Sequence, residues 1–317
     1  MLDIKIIRDN PIQFDNNIKK RGLEPVSKKI LKIDEEKRKA QTMLQQLLSD
    51  RNNLSKQIGE LKSNKKNADH LLKNVDNLKN QINSLKELEK IKDDELQAIL
   101  CRIPNIPSDD VPVGLGENDN VEIKNYGTKP NFKFKPKRHF ELGEDSGLIN
   151  FETASKISGS RFVILKGMIS KLERAIAQFM LDKHTNENGY TELSVPFLVK
   201  DKALYGTGNL PKFEEDLFTV GDSHWLIPTA EVPLTNLVRD QILEENSLPM
   251  RVTSFTQCFR SEAGAAGKDT RGMLRQHQFS KVELVSITTP EHSNKELERM
   301  LTCAESILQS LNIHYRI

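Results

Sequence analysis

Apolar positions recur in alternating steps of three and four from residue 28 to about residue 100. They fall at Ile30, Ile33, Ala40, Leu44, Leu47, Leu54, Ile58 and Leu61, with Lys37 and Arg51 in two slots of the same register. A second run, Leu71, Val75, Leu78, Ile82, Leu85 and Leu88, follows a polar break at residues 62–69. This spacing predicts two successive helices sharing a heptad seam. The stretch holds no proline, no aromatic residue and one glycine, Gly59, so little in it interrupts a helix. Similar lengths and one short break predict an antiparallel hairpin, with Asp69 as N-cap of its second helix. About 35 residues per helix at a rise of 1.5 Å give an arm roughly 50 Å long.

The pattern then changes. Residues 101–117 carry three prolines and two glycines and read as a connector, after which the texture becomes mixed α and β. An amphipathic helix is expected over 163–183, with Leu165, Met168, Ile169, Leu172, Ile176 and Phe179 on one side. Residues 189–199 read as a strand, 251–260 and 277–287 as a β-hairpin, 291–312 as a helix, and the final HYRI as the opening of another strand. The fold class is α+β. The expected units are residues 1–103, with the hairpin at 28–100, a linker at 104–117 and a second domain at 118–317.

Composition adds little beyond solubility: charged residues make up 29% and the net charge is +2. Three scattered cysteines, Cys101, Cys258 and Cys303, have no ligand spacing, so neither a disulfide framework nor zinc is expected. The charged N-terminus does not read as a secretory signal and no apolar run is long enough to span a bilayer, so the expected location is cytoplasmic. Charge is uneven along the arm. Residues 51–79 carry seven basic and three acidic side chains, whereas 80–100 carry three basic and five acidic. A basic tip suits a phosphate backbone, although any solvated coiled-coil surface is charged.

The most informative segment is the β-hairpin. Alternation on its first strand puts Arg260 and Glu262 on the face of Cys258, with Phe255, Gln257 and Phe259 on the other. On the return strand Phe279, Lys281 and Glu283 share a face. The connecting loop is glycine-bearing and cationic, with Lys268, Arg271 and Arg275. Guanidinium groups bind phosphate oxygens in a bidentate way, a ring stacks on a base, and a carboxylate holds a cation or hydroxyl. Taken singly, each has a plainer reading: Arg and Glu as a surface ion pair, Phe279 as core, Glu231 as an exposed acid opening a helix beside Pro233.

FRSEAG, a glycine-bearing loop and RQHQFSKVE together resemble motif 2 of the class II aminoacyl-tRNA synthetases, and specifically of the seryl enzymes. Thr229-Ala230-Glu231 resembles the seryl family's TxE serine loop, and GYTELSVP, ending at Pro196, resembles motif 1 at the dimer interface. The heptad hairpin is similar to the arm with which bacterial seryl enzymes hold the long variable region of their transfer RNA. The resemblance covers essentially the whole chain and implies an antiparallel-sheet catalytic domain behind a helical arm.

The resemblance also implies an activity: serine is activated by ATP to seryl-adenylate with release of pyrophosphate, then esterified to the 3′ end of serine transfer RNA. Selenocysteine transfer RNA is suggested as a further substrate. Arg260 and Arg275 would be catalytic. Arg260, Ser261, Glu262, Arg275 and Phe279 would bind ATP, with Phe279 on adenine. Thr229, Ala230, Glu231, Arg260 and Glu283 would bind serine, with Glu283 on its hydroxyl. Lys56, Lys62, Lys65, Lys66 and Lys73 would be the arm's contacts to RNA. A homodimer through Pro196 and a Mg²⁺ ion on the leaving pyrophosphate are implied too, without zinc. Motif 3 and the preceding acidic-serine segment are absent from the sequence, so the metal's ligands are expected outside it, and the chain alone is expected to be nearly inactive and poorly soluble. Two other readings stand beside this one: a paralogue that charges a carrier protein, which would not need the arm, and a non-catalytic coiled-coil module.

Overall fold

The computed structural model describes every residue except Met1, Leu115, Ala266, Lys268 and Thr270, and only the backbone of Ala265. Lys268, expected among the loop's cations, therefore lies outside the described residues. The chain divides into two compact units, residues 1–121 and 122–317.

The first unit is helical. Short helices α1 (Ile4–Asp9) and α2 (Pro11–Lys19) precede two long ones, α3 (Ser27–Ser63) and α4 (Asp69–Leu100). Asn10 caps α2 by accepting from the Gln13 amide at 3.1 Å, with Pro11 at the first helical position, where its missing N–H costs nothing. Asp15 reaches from α2 to cap α3, accepting from the Val26 and Ser27 amides and the Ser27 hydroxyl. A core of Ile7, Phe14, Ile18, Ile30, Leu96 and Leu100 locks the short helices onto the base of the hairpin. Inside that base Asp34, 1% exposed, receives Arg8 at 2.5 Å and Arg38 at 3.1 Å.

The seam follows the expected register for most of its length, with Ile30, Ala40, Leu44, Ile58 and Ile82 buried. Lys37, one of the two polar slots in α3, meets Asp93 at 2.6 Å, so that interruption is answered across the pair. Leu88 departs: it is exposed, and the neighbouring Glu89 takes the inward place and accepts from the Gln41 side chain at 2.8 Å. The cap of α4 also differs. Asp69 is the first helical residue rather than the N-cap, and its amide donates to Asn67 Oδ1 at 2.7 Å, an oxygen two residues upstream that the pattern did not single out.

The second unit is mixed. In chain order it contains β1 (Asn125–Tyr126), α5 (His139–Asp145), β2 (Ile149–Asn150), α6 (Phe151–Ser158), β3 (Ile164–Leu165) and α7 (Met168–Asn186). There follow β4 (Thr191–Glu192), β5 (Leu198–Val199), α8 (Asp201–Gly206), β6 (Thr219–Val220) and β7 (His224–Leu226). Last come α9 (Glu231–Thr235), β8 (Met250–Phe259), β9 (Gln278–Ile287), α10 (Ser293–Ser310) and β10 (Tyr315–Arg316). The central sheet runs β4-β8-β9, with β4 parallel to β8 and β8 antiparallel to β9. Beside it runs an antiparallel sheet, β5-β7-β6. As expected, HYRI opens a strand: β10 pairs antiparallel with β1.

Two expectations fail here for identifiable reasons. The 163–183 helix begins only at Met168, because Gly167 sits at φ +57 and breaks the run, leaving Leu165 in β3. Its buried side is Ala177, Leu181 and His184, while Met168 and Leu172 face solvent. The single strand at 189–199 is two, β4 and β5, in different sheets on either side of Pro196. A proline has no amide to give a ladder, so the chain changes sheets there.

Candidate catalytic face

The β8–β9 register fixes the site. Ser254 lies opposite Glu283, Thr256 opposite Lys281 and Cys258 opposite Phe279, so the return-strand row stands on one face as the alternation predicts. Beside it, on the same face, Ser254, Thr256 and Cys258 are almost fully buried, and burial pushes the Cys258 thiol pKa up.

The segment 227–231 is tied to this face at both strands. The Phe259 amide donates to the Ile227 carbonyl at 2.9 Å, and Arg260 Nε to the Pro228 carbonyl at 3.2 Å. Thr229 then donates its hydroxyl to Glu283 Oε2 at 2.5 Å. The Thr229 hydroxyl oxygen in turn accepts from Lys281 Nζ at 3.0 Å and from the Glu231 amide at 3.2 Å. One proton and two lone pairs are thus all engaged. Lys281 also pairs with Glu283. Ala230 anchors the segment from below, fully buried with Leu234 and Val252.

Glu231 opens α9 beside this cluster. Although solvent reaches its side chain, the surrounding protein and then the Glu283 charge raise its pKa, against a smaller opposing pull from Lys281. Arg260, held through Nε by the Pro228 carbonyl, places its guanidinium carbon 5.1 Å from the Phe279 ring centroid.

The pleat does not extend to Glu262. Strand β8 ends at Phe259, and Glu262 adopts φ +53, a left-handed turn conformation in which strand alternation no longer applies. Its carboxylate instead meets Arg275 at 3.1 Å, and Arg275 also holds Asp269 at 3.1 Å. Asp216, which the sequence did not point to, secures this turn: its carbonyl accepts from the Ser261 amide at 2.8 Å and its carboxylate from the Ala263 amide at 3.0 Å. Lys281 is the other omission. Alternation placed it on the face, yet only the folded loop shows it joining Thr229 to Glu283.

Of the remaining expected residues, Pro196 is exposed, as are the adjoining Phe197 and Leu198. On the arm Lys56, Lys62, Lys65, Lys66 and Lys73 are exposed, and among the described residues none of them is in an ion pair. Among the described residues no helix is long and apolar enough to cross a membrane.

Residues 1–107 match the seryl-tRNA synthetase N-terminal domain, and residues 212–317 match the class II tRNA synthetase core domain of the G, H, P, S and T enzymes. The serine--tRNA ligase of Paramagnetospirillum magneticum is 54% identical over 317 residues, all of this chain and 75% of that protein. The chain belongs to the seryl-tRNA synthetase family. The serine--tRNA ligase of Sinorhizobium fredii is likewise 54% identical, across the whole chain and 75% of its own length. Among solved structures, seryl-tRNA synthetase from Pyrococcus horikoshii complexed with ATP aligns over 100% of this chain and 76% of its own, with a TM-score of 0.88 and 36% identity. Cytoplasmic serine-tRNA ligase from Naegleria fowleri in complex with AMP aligns over 100% and 77%, with a TM-score of 0.82 and 26% identity. The family is thus one of a helical N-terminal domain joined to a class II catalytic domain, the α+β architecture described above.

Proposed function

We propose that the face of β8 and β9 binds ATP and L-serine and joins them as seryl-adenylate, which then esterifies serine transfer RNA. Arg260 grips the α-phosphate and the serine carboxylate, with Ser261 and Glu262 completing the nucleotide site. The guanidinium already lies against one face of Phe279, which leaves adenine the other. Arg275 reaches the triphosphate by exchanging its two carboxylate partners for phosphate oxygens. Glu231, with Thr229 and Ala230 shaping the loop, takes the serine ammonium, and Glu283 takes its hydroxyl.

The serine carboxylate attacks the α-phosphorus in line. A carboxylate oxygen–phosphorus bond forms as the bond to pyrophosphate breaks, and no proton has to move in that step. Catalysis is positioning and charge neutralisation, in which a preorganised donor supplies on the order of 3 kcal/mol. Magnesium is expected with ATP. Among the described residues no three His, Cys, Asp or Glu side chains converge as a cluster for it.

Arm lysines 56, 62, 65, 66 and 73 hold the RNA backbone, Pro196 and its exposed apolar neighbours meet a second copy of the chain, and the enzyme works in the cytoplasm. The observation that carries the reading is Arg260 over Phe279, on the same row as the Thr229–Glu283 pair. A seryl-adenylate analogue should raise the unfolding temperature of the unaltered chain and fail to do so for Arg260→Ala; no rise in the unaltered chain refutes the reading.

A further inference from the structure

The segment from residue 128 to 138 is unlike the rest of the second unit. It runs TKPNFKFKPKR: five cations, Lys129, Lys133, Lys135, Lys137 and Arg138, no acid, and two phenylalanines between lysines. It forms neither helix nor strand and bends at Lys133 and Phe134, and every residue in it is exposed. Phe132 and Phe134 are 52% and 67% exposed, with ring centroids 5.3 Å apart. Two neighbouring aromatic rings held in water gain little by folding, so their exposure points to a partner. Among the described residues Lys129, Lys133 and Lys135 have no ion-pair partner, while Lys137 pairs with Asp145.

The segment leads directly to the loop above the catalytic face. His139 accepts from the Met273 amide at 2.8 Å, and a Cβ at Gly272, whose φ is +93, would collide with the His139 ring. Phe140, buried, has Arg138 5.9 Å and Arg271 4.7 Å from its ring centroid. The two cationic stretches therefore meet on one ring.

We propose that residues 129–138, with Arg271, form a platform for the single-stranded 3′ end of transfer RNA as it approaches the adenylate. The inference rests on the functional reading above, which supplies the RNA. Aromatic faces stack on bases of any sequence while lysines follow the phosphates, the combination by which proteins hold single strands. A duplex would use the charge but has no unstacked base for Phe132 and Phe134.

The test measures binding of the 317-residue chain to serine transfer RNA, intact and with its single-stranded 3′ nucleotides trimmed. Phe132→Ala/Phe134→Ala and Lys133→Ala/Lys135→Ala are compared with the unaltered chain. Each pair should weaken binding of intact RNA about tenfold or more and leave trimmed RNA unaffected. The lysine pair should also flatten the dependence of log K on log salt by about 1.4, at about 0.7 per cation on a single strand. Equal binding of intact RNA by variants and unaltered chain overturns the proposal, as does an equal loss on trimmed RNA or a change of oligomeric state. Failure of the unaltered chain to bind either RNA refutes instead the functional reading. Because these side chains are exposed, their unfolding temperatures should match that of the unaltered chain, which separates loss of contact from loss of fold.

Discussion

Thr229 donates to Glu283 across 2.5 Å, binding a loop residue to the middle of β9. With Lys281 on the same hydroxyl, the pair holds in place the carboxylate that the proposed function assigns to the serine hydroxyl. Thr229→Val removes the donor while keeping the shape. It should weaken a seryl-adenylate analogue roughly tenfold, because a hydrogen bond to a charged group contributes about 1.5–3 kcal/mol. Combined with Glu283→Gln the losses should fall short of additive by at least about 0.5 kcal/mol, the signature of residues in one network. Titration calorimetry on both single variants and the double variant checks this.

Glu231 gives a pH prediction with a definite sign. Its pKa is raised in the fold, by partial desolvation from the surrounding protein first and then by Glu283, so the folded state holds its proton more tightly than the unfolded chain. Its contribution to stability is therefore full below the unfolded pKa and is lost as pH rises through the folded one. Glu231→Gln should stabilise the chain at neutral pH, seen as a higher urea midpoint, with the difference vanishing in acid. The same variant should lose serine, whose ammonium needs the ionised carboxylate.

Asp34 has the opposite sign. Burial works against its charge, but the hydrogen bond and charge of Arg8, with Arg38, leave its pKa lowered. Its contribution is present above the unfolded pKa and disappears as pH falls through the folded one. Asp34→Asn should cost about 3 kcal/mol at neutral pH, the low end for removing a buried partner because Arg8 is itself part-exposed. Urea denaturation at neutral and acid pH should show the gap narrowing in acid.

On the arm, Lys62→Ala/Lys65→Ala/Lys66→Ala should weaken binding of serine transfer RNA and reduce its salt dependence by about 2.7, at about 0.9 per phosphate contact on a duplex. Adenylate-analogue binding should be untouched. A filter-binding salt series measures the first and calorimetry the second.

The long helices were legible because a heptad repeats over many turns, so a single misplacement such as Leu88 barely disturbs it. The ten-residue strands β8 and β9 were legible for the same reason: alternation accumulates, and both ends fell within a residue of expectation. What the pattern missed was set by single residues. Gly167 delayed α7 and Pro196 split one strand into two, each by a local backbone constraint with no periodic signature. Glu262 lies beyond the last paired residue, where its direction depends on Asp216 and Arg275, far apart in sequence. Lys281 was visible as a position on a face but not as a bond, because its partner Thr229 lies 52 residues away.

In the proposed function Glu283 reads the substrate hydroxyl on the face that holds the nucleotide. Calorimetric titration with paired non-hydrolysable analogues, one carrying serine and one alanine on the same adenylate, isolates that hydroxyl. The seryl analogue should bind roughly 10- to 150-fold more tightly, the range of one hydrogen bond to a charged group, and Glu283→Gln should largely erase the difference. Equal affinity in the unaltered chain, or a preference that survives Glu283→Gln intact, would remove Glu283 from the serine site.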